Sequence, residues 1–394
     1  MTVNEHQKRL NKILAGEAVF ESRIEDHQSN FLDFQSKPFA LYGLGECSHW
    51  FHEIGMKRNG MRPIIALDQN PVHDNWWGIR TATPADFASN SDLIISKLDV
   101  IVSIGNRATF DVIKEYLLGL GFEKIHFLHD FYEFHSFFVW KTEEVDDRIA
   151  TNINNFRRSY SLLSDDLSKE IFCRLLQVHV RKTPLDIPAS ARNQQYFPDD
   201  IFLTKGHDNY VCCGAYDGEN IRMLASRVGK ATSIICFEPE EKIFPKLQSC
   251  AKKHIGATAQ EIICLNRAVY DNDGIVSFCS DSGLGSRIDA NGDRKVECSK
   301  LDTALQNHDV SFISMDIEGA EVPAINGAKK IIEKLKPDLG VCVYHYPEQV
   351  ADVICAIDEI DQEYSFFIRN YTGYLTETVV YATQNRGDFD PNTS

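Results

Sequence analysis

Short apolar runs that end in glycine or a carboxylate, each followed by a helical pattern, recur through two stretches of the chain. In the first stretch, residues 39–43 (FALYG), 64–68 (IIALD), 99–105 (DVIVSIG) and 124–128 (KIHFL) read as buried strands, and 109–120 as a helix. Continuous apolar runs spaced by helical segments predict a parallel sheet covered on both faces. The second stretch repeats the rhythm, with strands expected near 209–213, 233–237, 261–265, 274–279, 311–315 and 338–344. Its end differs. The runs YSFFIRN and TETVVYA are joined only by Tyr371-Thr372-Gly373-Tyr374-Leu375, short enough for an antiparallel hairpin. The fold class expected is therefore α/β: a doubly wound sheet closed by a hairpin, preceded by a smaller α/β domain of the same type.

The intervening segments have another character. Residues 1–36 are polar with helical spacing, and 144–183 are helical throughout, with a Ser-x-x-Leu start at SDDLSKEIF. A Pro-rich polar stretch, RKTPLDIPASARNQQYFPDD, comes next. These boundaries predict a helical arm (1–36), a first α/β domain (37–140), a connector (141–194) and a second domain (195–394).

At 394 residues the chain is too long for one ordinary core, which agrees with two α/β domains. A formal charge of −16 disfavours nucleic acid as a partner, because approach to a polyanion begins against repulsion. Eleven cysteines form no C-x-x-C pair and stand mostly in apolar runs, as reduced core residues do. There is no apolar run of membrane-spanning length and no signal-peptide pattern at the start. The expectation is a soluble, cytoplasmic protein without a metal centre, in which a homo-oligomer remains open.

The candidate chemistry sits where strands end. Gly214 and Gly218 bracket the turn GAYDG, with Ala215, Tyr216 and Asp217 between them, and a helical segment comes after it. Glycines let the backbone approach a ligand, and the free N–H groups of a helix start attract its anionic end. Glu238 ends the next strand, about twenty residues on, where an acid can accept both ribose hydroxyls of a nucleoside. Asn266 and Ala268, after the third strand, are placed to line an adenine. Asp316, Glu318 and Glu321 follow the strand FISM, and His345 follows LGVCVY at the same rim. Helix capping explains one or two of these carboxylates but less easily all three, so Asp316 and His345 are candidate bases, with Glu318 and Glu321 as orienting groups. In the first domain, Gly43 and Gly45 with Asp68 make a partial dinucleotide fingerprint, with Ser48 where a third glycine would stand. Trp76 and Trp77 and the run FLHDFYEFHSFFVW read as interface core in preference to a sugar-stacking platform.

The segments QYF (195–197), CGAYDGE (213–219), FEPE (237–240), NRAVYDNDGIVSF (266–278), SKLDTAL (299–305), MDIEGAEVPAINGA (315–328) and KPDLGVCVYH (336–345), with the closing hairpin, resemble the FkbM family of methyltransferases. The resemblance covers residues 195 to 382. It implies a class I methyltransferase fold, S-adenosylmethionine as cofactor, and O-methylation of a small-molecule or glycan acceptor, often a sugar. Cys212 stands where such families carry an acid two residues before the glycine; Asp217 and Glu219 are the nearby substitutes. The loop 283–287 (GLGSR) is expected to close over the acceptor. The first domain resembles the Rossmann-like domains of sugar-modifying enzymes, so Gly43, Gly45 and Asp68 could face a nucleotide-sugar. An NAD(P)-dependent oxidoreductase and a non-catalytic binding protein remain as alternatives.

Overall fold

The computed structural model describes residues 3–20, 31–71, 73–91, 93–105, 107–131, 134, 142–279 and 286–384. They form two compact units. One is built from Phe20–Val139 with Arg181–Asp186, the other from Met1–Val19, Trp140–Val180 and Ile187–Ser394.

The smaller unit holds a six-stranded sheet in the order β3-β4-β2-β1-β5-β6. Its strands are β1 (Phe39–Tyr42), β2 (Ile65–Leu67), β3 (Asn75–Trp76), β4 (Ile79–Ala82), β5 (Asp99–Val102) and β6 (Lys124–Phe127). All pairings are parallel except β3 with β4. Every residue of β1, β2 and β5 is buried, as expected for strands covered on both faces. The short pair β3–β4 was not expected, since two- and four-residue strands carry too little pattern to read.

In the larger unit seven strands pair in the order β16-β17-β15-β14-β7-β8-β9. They are β7 (Asn209–Cys213), β8 (Ala231–Phe237), β9 (Ala259–Leu265), β14 (Phe312–Met315), β15 (Asp338–Cys342), β16 (Ser365–Asn370) and β17 (Thr378–Thr383). The first five are mutually parallel, and β17 joins antiparallel to both β15 and β16. The doubly wound sheet with an antiparallel end is thus present. Strand order reverses at β7, with β8 on one side and β14 on the other, so the carboxyl ends of β7 and β14 flank the crevice where ligands bind in open α/β sheets.

One expected strand, 274–279, does not lie in this sheet. It is β11 (Gly274–Cys279) of a separate four-stranded sheet with β10 (Ala268–Val269), β12 (Arg287–Ile288) and β13 (Arg294–Ser299). Its first half is exposed on both faces, a sign that it was never a central parallel strand.

Helices from 142 to 181, expected as part of a connector, group with the larger unit. Arg158 pairs with Asp358 (2.6 Å), Asn155 donates to Asp352 (3.0 Å), and the Ser168 hydroxyl accepts from the N–H of Ile368 (2.8 Å). Arg369, almost fully buried, pairs with Asp165 (2.6 Å) and Asp200 (2.7 Å). The amino-terminal helix Val3–Leu14 groups with them: His6 meets Tyr160 (3.2 Å) and Asp166 (3.0 Å). The helix Asp166–Arg181 starts at Asp165, whose Oδ1 accepts from the N–H of Ser168 (2.7 Å), which is why the Ser-x-x-Leu pattern gave only a weak start signal.

Candidate active site

Gly214 is the first residue past β7 and has φ +81°, a left-handed conformation that suits glycine. A Cβ here would lie 1.9 Å from the carbonyl oxygen of Asp316, so only glycine lets the turn after β7 touch the end of β14. Gly218, with φ +92°, sits directly before the helix Glu219–Arg227, and a Cβ there would lie 2.7 Å from the sulfur of Cys250. Between them Tyr216 also takes a positive φ, +47°, a conformation kept only where the surroundings demand it.

Glu238 holds this turn. Its Oε2 accepts from the N–H of Tyr216 (2.8 Å) and its Oε1 from that of Glu240 (2.8 Å). Burial pushes its carboxyl up to about 7, against the opposing pull of those two N–H donors. Gly214, Tyr216, Glu238, Ala268, Asp316 and Glu318 line one cavity at the sheet rim. The small sheet closes its far side with Phe278, Arg287 and Ile288, and Ile243 and Arg267 complete the wall. Four expected cofactor residues are not part of that lining, among them Gly218, which sits directly before its helix. Ala215 is buried beneath the turn, Asp217 pairs with Arg222 (2.7 Å), and Asn266 donates to the carbonyl of Glu238 (2.8 Å), bracing the acid from behind. Of the loop 283–287, residues 283–285 lie outside the described residues, and Arg287 reaches the cavity.

The carboxylates after β14 converge on His345, which is fully buried. Its Nε2 lies 3.4 Å from Asp316 Oδ1 and 3.5 Å from Glu318 Oε2, and its Nδ1 lies 3.3 Å from Glu321 Oε1. Burial alone would lower the imidazole, but Glu321, Glu318 and Asp316 outweigh it and hold His345 at about 10. Asp316 moves the other way from a free carboxylate: burial raises it to about 8, with His345 opposing and Glu377, Glu318 and Glu321 adding to the rise. Glu318 is raised by burial as well, and its backbone is left-handed at φ +57°. Glu321 is fully buried. It accepts from the N–H of Ile317 (2.9 Å) and from the Gln349 amide, so it caps the turn while orienting His345. Ligand atoms of Asp316, Glu321 and His345 come within 4.8 Å of one another, a spacing that would also accept a divalent cation in place of the imidazole proton.

Residues not singled out in the sequence complete the site. The Tyr344 hydroxyl donates to Asp316, 3.1 Å from each oxygen. The side-chain Oε1 of Gln349 accepts from the N–H of His345 (2.8 Å). Glu377, reached by Gln195 (2.7 Å) and Arg192 (2.8 Å), adds negative potential at Asp316. Tyr344 precedes His345, and Gln349 opens the helix that follows it; closeness in sequence to His345 was the available signal.

In place of the usual acid, Cys212 is fully buried in β7, where its sulfur accepts from the Asn220 amide (3.1 Å). In the smaller unit, Asp68 holds its glycine turn as Glu238 does, accepting from the N–H of Leu44 (3.0 Å) and of Asn70 (2.9 Å). Gly43 has φ +89°, and the buried Ser48 hydroxyl donates to the carbonyl of Gly45 (2.6 Å). Trp77 is 42% exposed and stacks on His52 at 3.9 Å, so it is a surface ring in place of the expected interface core; most of the aromatic run 127–140 lies outside the described residues.

Residues 213–374 match the model of the methyltransferase FkbM domain. The chain carries a methyltransferase FkbM domain. The matched segment runs from the end of β7 into the turn of the closing hairpin, and so takes in both the glycine turn and the carboxylate cluster. The chain is similar in fold to the crystal structure of methyltransferase FkbM from Methylobacillus flagellatus KT, at 18% identity and a TM-score of 0.67. That likeness covers 96% of this chain and 98% of the other. The SAH-bound methyltransferase PaMTH1 of Podospora anserina also matches, at 10% identity over 63% of this chain and 98% of its own, with a TM-score of 0.27 too low to carry an argument. No curated protein matches the sequence. The larger unit is a class I methyltransferase fold, and among the described residues no helix is long and apolar enough to cross a membrane.

Proposed function

We propose that this methyltransferase is S-adenosylmethionine-dependent and methylates a hydroxyl on a sugar, glycan or glycosylated metabolite. The carrying observation is the contact of Gly214 with the carbonyl of Asp316, which brings a nucleoside cradle and a candidate proton acceptor to one rim. The residues fit the cofactor. A Cβ-free turn gives room for close backbone approach, Glu238 keeps lone pairs beyond its two backbone donors for a ribose, and Ala268 and Phe278 offer apolar surface to a base. When bound, S-adenosylmethionine supplies an electrophilic methyl group on a sulfonium.

The chain's own contribution is to place an acceptor oxygen and to take its proton. Asp316 is the proton acceptor of this reading, because a group at about 8 both ionises near neutral pH and retains enough basicity to pull on a hydroxyl. His345, charged at about 10, does not serve as base. It balances Asp316, Glu318 and Glu321 and fixes their carboxylates in place. Tyr344 orients Asp316 through both oxygens, and positioning of this kind supplies most of the gain in a displacement reaction. Titration calorimetry with S-adenosylmethionine, followed by mass spectrometry of candidate glycosides for the gain of one methylene, tests the reading. Absence of cofactor binding refutes it.

A further inference from the structure

The rim chemistry leaves a larger cavity unexplained. It is an open cleft of about 520 Å³ between the helices Thr142–Thr151 and Ile153–Leu162 on one side and Glu321–Gly327 and Gln349–Ile360 on the other. That is the size of a small-molecule site. Its walls are polar: Arg148, Asn152, Asn155, Tyr346, Glu348 and Gln349 all contribute. Arg148 lies 5.1 Å from the centre of the Tyr346 ring and pairs with Oε1 of Glu348. Oε2 of Glu348 is buried with no hydrogen-bond partner among the described residues, beside the Oε1 that Arg148 holds.

Two connections tie this cavity to the active site. Gln349 lines it, yet its amide holds Glu321 and the N–H of His345. Glu318 lines the rim cavity while the next residue, Gly319, lines this one. Gly319, at φ +96°, lies flat against Tyr346: a Cβ there would be 2.3 Å from the ring. The neighbours Glu318 and Gly319 thus open on different cavities.

The lining selects a ligand class. Carboxylates outnumber the one arginine, which disfavours phosphate, and polar walls disfavour an acyl chain. A mixture of amides and carboxylates beside an aromatic ring suits hydroxyls, which both donate and accept. We infer that this cavity is a subsite for a saccharide residue of the acceptor, one removed from the residue that is methylated. Its assignment to the acceptor rests on the methyltransferase reading above; its saccharide character does not.

Saturation-transfer NMR on the full-length protein, with maltose, N,N′-diacetylchitobiose and glucuronic acid as probes and spermidine as a control cation, tests the inference. At least one sugar should receive saturation. Ala356→Trp, which fills the cavity from the helix Gln349–Ile360 without removing a hydrogen bond, should weaken that sugar at least tenfold. Asn326→Trp, from the opposing helix, is the second plug should the first lower stability. No transfer to any sugar, a response to spermidine alone, or undiminished sugar binding in both folded variants overturns the inference. S-adenosylmethionine affinity measured in parallel separates the two readings: sugar binding at the cavity without cofactor binding removes the methyltransferase reading and leaves a saccharide site.

Discussion

Asp316→Asn gives the sharpest test of the site, because it moves turnover and stability in opposite directions. With its carboxyl at about 8, Asp316 is ionised to about a tenth at pH 7 and about nine-tenths at pH 9. If it takes the acceptor's proton, turnover of the wild-type protein rises about tenfold between those values, with a limb centred near 8. Asparagine keeps the shape and can still accept from Tyr344, but it takes no proton. Turnover should fall by roughly 100-fold or more at pH 9, with a smaller deficit at pH 7 and cofactor affinity changed less than about threefold. The stability effect has the reverse sign. Because the folded carboxyl is raised above its unfolded value, the folded state holds this proton more tightly, and stability falls as pH rises from about 4 towards about 8. Asparagine cannot ionise, so the variant should gain melting temperature relative to wild type at pH 8–9 and show little gain at pH 5. Stopped-time product assays and thermal melts across pH 5–9 read both quantities. A flat turnover profile with a variant less stable at every pH would make Asp316 a turn-capping residue, and the base would have to lie elsewhere.

Glu238→Ala should weaken S-adenosylmethionine by about 10- to 100-fold in calorimetry and also lower the melting temperature, since the N–H groups of Tyr216 and Glu240 lose their acceptor; unchanged affinity would remove the ribose assignment. Gly214→Ala must place a Cβ 1.9 Å from the Asp316 carbonyl at φ +81°, at a cost of about 2–5 kcal/mol, and should lower both stability and cofactor binding; a variant that melts and binds as wild type would show that the turn does not touch β14. A fragment of residues 195–394 should fail to give a cooperative melt, because it lacks Ser168, Asp165, Arg158 and Asn155, which hold β16 and the helix Gln349–Ile360; a stable, cofactor-binding fragment would mean that this layer is dispensable.

Burial is the reason that part of the fold was legible in the sequence. Strands such as FISM and NYVCC are apolar because both faces are covered, and a carboxylate directly after such a run stands out, as Glu238 and Asp316 do. Less legible was the strand Gly274–Cys279, whose pattern is strand-like but whose partners β12 and β13 build a separate sheet: a strand's own pattern does not say which neighbour it takes. The helices from 142 to 181 read as helices, yet their allegiance is set by Arg158, Arg369 and Ser168 meeting residues about 200 positions away. Charge also misled locally. Asp217 sits inside the glycine turn but faces Arg222, five residues on, whereas Glu321, expected as an orienting group, is fully buried. No periodicity distinguishes an acid that faces solvent from one turned inward to a histidine.

The two units repeat one scaffold, and their difference bears on where the proposed chemistry would lie. Each has a glycine turn after its central strand, and each has an acid after the next strand that accepts from the backbone of that turn, Asp68 in one and Glu238 in the other. In each the glycine closely approaches the neighbouring strand end: a Cβ on Gly43 would lie 2.9 Å from the Ser103 carbonyl, as one on Gly214 would lie 1.9 Å from that of Asp316. The units diverge immediately past that neighbouring strand. After β5 come Ser103, whose hydroxyl donates to the carbonyl of Gly43 (2.6 Å), and Arg107, which pairs with Asp130. After β14 come Asp316, Glu318 and Glu321, gathered around one imidazole. A glycine turn with its acid is therefore a way of closing an α/β crevice that needs no ligand to account for it, and it cannot by itself assign a cofactor to the smaller unit. Clustering three carboxylates on a buried histidine costs free energy that packing does not require, and that cost is the reason the proposed chemistry is sought at the β14 rim in preference to the smaller unit.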